Sequence, residues 1–205
     1  MTIQEMLALI ALKCGNRDIE EMEEFALPYF SLKQAELEAD PFLPWFLVHE
    51  AEQAVTDPGF TDLPEGFIKF TPSSGVWYNS PEGKVSQLCL KSIKEGLEKY
   101  GLEEGAPKAV ALQKNGLALY PAPDSGSLFF EYYKKEPKLD LNSTPSNAWT
   151  EYAPWYLISL VGLEVAQDLE HAPGVKFFRE KAEAAREMLF RQDAERAISG
   201  ARLTF

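Results

Sequence analysis

The sequence predicts an α+β protein: a helical bundle drawn from the N- and C-terminal parts of the chain, with an antiparallel β domain inserted between them. Three observations predict it. Apolar residues recur at helical spacing through residues 1–40, and they do so again through residues 142–205. Between them, over residues 41–141, prolines such as Pro41, Pro44, Pro58, Pro64, Pro72 and Pro81 punctuate short aromatic and β-branched runs, the pattern of strands and turns.

The N-terminal part opens on a capped helix. Thr2 caps it, and Glu5 three residues on completes a capping box. Met6, Leu7, Leu9, Ile10 and Leu12 supply its apolar residues, and Gly15 stops it. Asp18 opens a second helical stretch over residues 19–25, Pro28 breaks or kinks the chain after it, and residues 27–39 resume a helix. Eight acids fall in this region (Asp18, Glu20, Glu21, Glu23, Glu24, Glu36, Glu38 and Asp40) and read as a solvated helix face.

In the middle part, residues 45–55, 67–70, 76–78 and 85–90 are the first strands. Residues 92–100 form a short helix ended by Gly101. Residues 109–113 and 117–120 flank Lys114-Asn115-Gly116, whose Asn-Gly pair suits a type I′ hairpin turn. A strand over 127–134, rich in Phe and Tyr, reads as the return arm of a second hairpin that turns at Pro121-Ala122-Pro123-Asp124. In the last part, Thr144 or Ser146 caps a helix over 147–171, apolar nearly all round and therefore central. Pro173-Gly174 ends the turn after it, and an amphipathic helix runs over 175–198.

Composition and charge exclude function classes more than they select one. The chain has 205 residues and is 45 % hydrophobic, enough for a sizeable core. Its formal net charge of -12 argues against a binder of nucleic-acid backbone, which needs Lys and Arg to displace phosphate counterions. An acidic wall past which DNA slides is compatible with it. Cys14 and Cys89 are too few and too far apart for a disulfide framework, and with an acidic, polar start they suit a reducing cytosol. The longest apolar stretch, residues 153–165, contains Gly162 and Glu164 and is too short to span a bilayer, so no membrane role is expected.

Catalytic and metal constellations do not emerge. His49 sits beside Glu50 in a strand, where neighbours point to opposite faces. His171 falls near a helix C-terminus, where it favours the dipole. There is no nucleophile elbow, phosphate loop or dinucleotide-binding turn. The carboxylates lie in solvated runs rather than on apolar backgrounds. No catalytic residue, metal ligand or cofactor is expected, and the protein reads as a non-enzyme.

The most specific stretch is Gly116-Leu117-Ala118-Leu119-Tyr120-Pro121-Ala122-Pro123-Asp124, continuing through Leu128-Phe129-Phe130-Glu131-Tyr132-Tyr133 to Lys138-Leu139. Followed by a long apolar helix and a charged last helix, and preceded by N-terminal helices, it resembles the tailed-phage head-to-tail connector adaptors. The resemblance implies a structural neck protein of the virion, made in the host cytoplasm. It would form a ring, by that analogy a dodecamer, beneath the portal protein and extend the DNA channel toward a further neck or tail protein. Genomic DNA would pass through the lumen without specific recognition.

The resemblance also places portal docking in the C-terminal segment, with Ile198, Gly200, Arg202, Leu203 and Phe205 as its residues. Gly200 permits a bend, Arg202 supplies a bidentate donor, and Leu203 and Phe205 are apolar anchors. Residues 176–205 hold seven basic and five acidic side chains, so this end is slightly basic on an otherwise acidic chain. Trp45, Trp77, Tyr78, Phe129 and Tyr133 are candidates for ring contacts, with core packing the expected task of at least half of them. The rival readings are a stopper or tail terminator, which the framing helices disfavour, and a small enzyme with a cleft in the β domain.

Overall fold

The computed structural model describes residues 1–72, 75–101 and 104–201, with side chains in the last helix described as far as residue 196. The chain divides into two compact units, one made of residues 1–47 and 136–205 and the other of residues 48–135. The architecture is α+β, with helices from both ends of the chain and the β region inserted between them.

The helical unit contains α1 (Ile3–Lys13), α2 (Ile19–Ala39), α4 (Ala148–Tyr152), α5 (Pro154–Asp168) and α6 (Ala172–Ala201). The capping box of α1 forms as expected: Thr2 Oγ1 accepts from the Glu5 N–H, and the Glu5 carboxylate accepts from the Thr2 N–H. Asp18 caps α2 through the Glu20 N–H. Pro28 neither breaks α2 nor divides it, and one helix runs from Ile19 to Ala39. The proline lies on the exposed side of the helix, so the Glu24 carbonyl it leaves without an intrahelical donor lies on the side facing water.

The expected single helix over 147–171 is two. Asn147, rather than Thr144 or Ser146, caps α4 by accepting from the N–H groups of Trp149 and Thr150. Ala153 leaves the helical region, and Pro154 opens α5 at its first position, where a missing N–H costs nothing. Pro173-Gly174 does not precede the last helix but lies inside its first turn. There the Gly174 N–H donates to His171 Nδ1 at 3.0 Å, so His171 serves the start of α6 rather than the end of α5.

Helix α5 is central: it packs against α1, α2, α4 and α6. Leu157, Ile158, Val161, Val165 and Ala166 are fully buried. Gly162 has a packing cause, because a Cβ there would lie 2.5 Å from the Phe178 ring, whose burial in the α5–α6 contact depends on that gap. Lys33 of α2 reaches Glu164 of α5 at 2.6 Å and Glu36 at 3.0 Å. Partial burial opposes its charge, but the hydrogen bonds and charges of the two carboxylates outweigh that, and its pKa is raised.

The inserted unit holds β1 (Val48–Ala54), β2 (Phe60–Asp62), β3 (Phe67–Phe70), β4 (Val76–Asn79), β5 (Val85–Leu90), α3 (Ile93–Tyr100), β6 (Ala109–Leu112), β7 (Gly116–Tyr120) and β8 (Ser127–Lys134). The strand over 45–55 is shorter than expected, since Trp45–Leu47 is a 3-10 turn that belongs to the helical unit. The strands form one mixed sheet in the order β1-β8-β4-β5-β6-β7-β2, with β3 also on β8. Only β5 and β6 run parallel among the paired strands described, and α3 makes their crossover.

The path nearly closes into a barrel, because β1 and β2 at its two ends are consecutive in the chain. The Thr56 N–H donates to the Phe60 carbonyl, and Thr61 Oγ1 donates to the Ala54 carbonyl. Alternate residues of β8 (Leu128, Phe130 and Tyr132) enter the interior with Val76, Tyr78, Val110 and Leu119.

Two turn expectations are corrected. β7 and β8 do not pair: β7 lies between β6 and β2, while β8 pairs with β1, β3 and β4. The Pro-x-Pro-Asp segment is therefore a crossing between separate places in the sheet, entered through a cis Tyr120–Pro121 bond, and not a hairpin turn. The β6–β7 hairpin does form, with the Gln113 N–H donating to the Gly116 carbonyl around Lys114-Asn115. Neither central residue has positive φ, so the turn is not type I′. Gly116 is instead required by crowding, since a Cβ would collide with the Phe60 ring and the Thr61 carbonyl on neighbouring β2.

Candidate functional site

The site expected from the sequence is the C-terminal segment. Ile198 and Gly200 lie within α6, whose backbone stays helical to Ala201. Arg202, Leu203 and Phe205 fall outside the described residues. The structure does show how the half of α6 leading to them is held.

Residues 42–46 clamp that half of the helix. The Phe42 ring meets Phe190 at 4.1 Å, and the Trp45 N–H donates to Asp193 Oδ1 at 2.9 Å. The Arg196 guanidinium lies over the Trp45 indole, 3.3 Å from its centroid, a cation–π contact. Trp45 and Phe46 continue into Tyr152 and Trp149 at 5.0 Å each, which joins the clamp to α4. Sequence reading assigns Trp45 to a strand and misses this role. The signal available is an aromatic pair following Pro44 opposite a long, weakly apolar helix.

Behind the clamp, a buried polar cluster fixes where the chain re-enters the helical unit. Glu38 Oε1 accepts from Gln34 Nε2 at 3.0 Å, the Glu136 N–H at 3.1 Å and Trp149 Nε1 at 3.3 Å. Gln34 Nε2 also reaches the carbonyls of Glu136 and Pro137, and Asn147 Nδ2 donates to Gln34 Oε1 and the Pro137 carbonyl. Glu38 is therefore not part of a solvated face, unlike Glu20, Glu21, Glu24 and Glu36, which are exposed. Its carboxylate substitutes for water around the returning backbone.

Of the aromatic residues considered for contacts with other copies, Tyr78 is a core residue of the β unit. Trp77 and Phe129 are exposed and directly opposite each other on β4 and β8. On the helical unit, Tyr152, Trp155 and Met188 are exposed around a shallow cleft between the start of α5 and α6. No group of three or more His, Cys, Asp or Glu suited to a metal occurs among the described residues. Among the same residues, no helix is long and apolar enough to cross a membrane.

Among the described residues, the distinctive features are exposed aromatic side chains on the surface and a last helix braced by residues 42–46. The family model described as SU10 adaptor protein matches residues 1–204, and the chain belongs to that family. It is a phage adaptor protein, a structural component of the virion. No curated protein matches the chain.

Proposed function

We propose that the protein assembles as a ring beneath the portal, extends the DNA channel toward the tail, and attaches through residues 198–205. The observation that carries this reading is the family match over residues 1–204. Local structure supports it: α6 is clamped by residues 42–46 along the turns that lead into the segment with Arg202, Leu203 and Phe205. A rigid helix presents a terminal anchor at lower entropic cost than a frayed one would. The net charge of -12 suits a channel component that DNA passes without sticking. The protein carries out no reaction; the ring, a dodecamer by analogy with the family, is its working form.

Portal pull-down tests the docking element. Removing residues 201–205 is expected to abolish capture by the portal of the same phage, while circular dichroism and the unfolding midpoint stay as in the full chain. Capture at full-chain level by the truncated protein would show that docking lies elsewhere. The isolated protein is expected to be monomeric or weakly associated, with rings forming on the portal.

A further inference from the structure

The Asn115-Gly116 pair does not make the turn that such a pair favours, but it carries a second chemistry. A backbone nitrogen can attack the side-chain carboxamide of a preceding asparagine, closing a five-membered imide and expelling ammonia, which is one reason asparagine is thermolabile. The residue after the asparagine must leave the approach open, which glycine does best because it has no Cβ. Its nitrogen must also be free of a hydrogen bond that holds it in place.

The chain has five asparagines, Asn16, Asn79, Asn115, Asn142 and Asn147. After four of them the following N–H is engaged. Arg17 donates to the Ala11 carbonyl at 3.1 Å, and Ser80 to the Lys84 carbonyl at 3.0 Å. Ser143 donates to Asp140 Oδ1 at 2.9 Å, and Ala148 to Glu136 Oε2 at 2.8 Å. Gly116 differs. The Leu63 N–H donates to the Asn115 carbonyl and the Leu119 N–H to the Gly59 carbonyl. Bonds between β2 and β7 therefore fall at alternate residues, and the Gly116 N–H points away from β2. On that other side the Gln113 N–H donates to the Gly116 carbonyl, but among the described residues the Gly116 N–H makes no return bond. Asn115 itself is exposed at the tip of this hairpin.

We propose that Asn115 is a site of uncatalysed deamidation in the folded protein, with water as the only co-reactant. The Gly116 nitrogen gives its proton to solvent and bonds to Asn115 Cγ; the Cγ–Nδ2 bond breaks, and Nδ2 leaves as ammonia with a proton from water. Water then opens the imide. Opening at Cγ leaves aspartate, and opening at the main-chain carbonyl leaves isoaspartate, with the chain running through Cγ. Either product adds a negative charge at the tip. Isoaspartate also lengthens the main chain by one atom beside Gly116, where the Phe60 ring and the Thr61 carbonyl crowd β7 against β2.

Peptide mapping of the full-length folded protein tests it. The protein is held in mildly alkaline buffer, where the attacking nitrogen loses its proton more readily, and is then digested with pepsin in acid, where little imide forms. The peptide with Asn115 is expected to gain about 1 Da, as a mixture of aspartate and isoaspartate, at least about tenfold faster than peptides with the other asparagines. Asn115→Gln, which would need a six-membered imide, is expected to stay unmodified over the same interval. In urea, Asn79 and Asn142, each followed by serine, are expected to speed up as their neighbours' hydrogen bonds are lost, while Asn115 changes little. Retention of the Asn115 amide in the folded protein with its loss in urea would overturn the proposal, by showing that β7 holds the Gly116 nitrogen out of reach. Earlier conversion of Asn79 or Asn142 in the folded protein would overturn it as well.

Discussion

Cys14 and Glu38 show how single side chains set the tolerances of the helical unit. Cys14 is buried, and burial pushes its thiol up to about 11, with Arg17 pulling weakly the other way. Below pH 9 the thiol is neutral in both the folded and unfolded chain. Between about 9 and 11 only the unfolded chain ionises, so stability falls as pH rises across that window. Cys14→Val is expected to flatten the fall between pH 9 and 10 in urea denaturation, before the raised tyrosines Tyr29, Tyr78, Tyr132 and Tyr156 titrate. Glu38 is held by three donors, two of them on the returning segment and α4. Glu38→Leu strands the Trp149 and Glu136 donors and is expected to cost about 3 kcal/mol. Glu38→Gln keeps an acceptor and is expected to cost less, as unfolding midpoints will show.

Among the elements, those with local causes were legible in the sequence. The capping box at Thr2, the Gly101 stop and the strand over 127–134 depend on neighbours a few residues away, and each forms where its residues indicate. Elements decided by distant packing were not legible. Pro28 breaks an isolated helix but is carried here by a buried stripe on the other side of α2. The β7–β8 connection has turn residues, yet β7 is claimed by β6 and β2, which cover both its edges. Gly116 suggested a turn type when its cause is the Phe60 ring across the sheet. The three-residue strand β2 carries no periodicity long enough to read. Of the candidate site, the tail residues were named from the sequence, but the clamp at Phe42 and Trp45 depends on contacts that span 148 residues of the chain.

For the whole molecule, the α+β architecture follows from the order of elements, while the proposed assembly rests on the family match over residues 1–204. The braced half of α6 leads into the segment proposed to meet the portal. The most direct measurement of the central claim is electron cryo-microscopy of the purified portal mixed with the full-length protein. The account predicts one ring of adaptor copies on the tail-facing side of the portal, with density for residues 198–205 against it. A portal that remains bare at saturating adaptor, or copies bound without a closed ring, would contradict it.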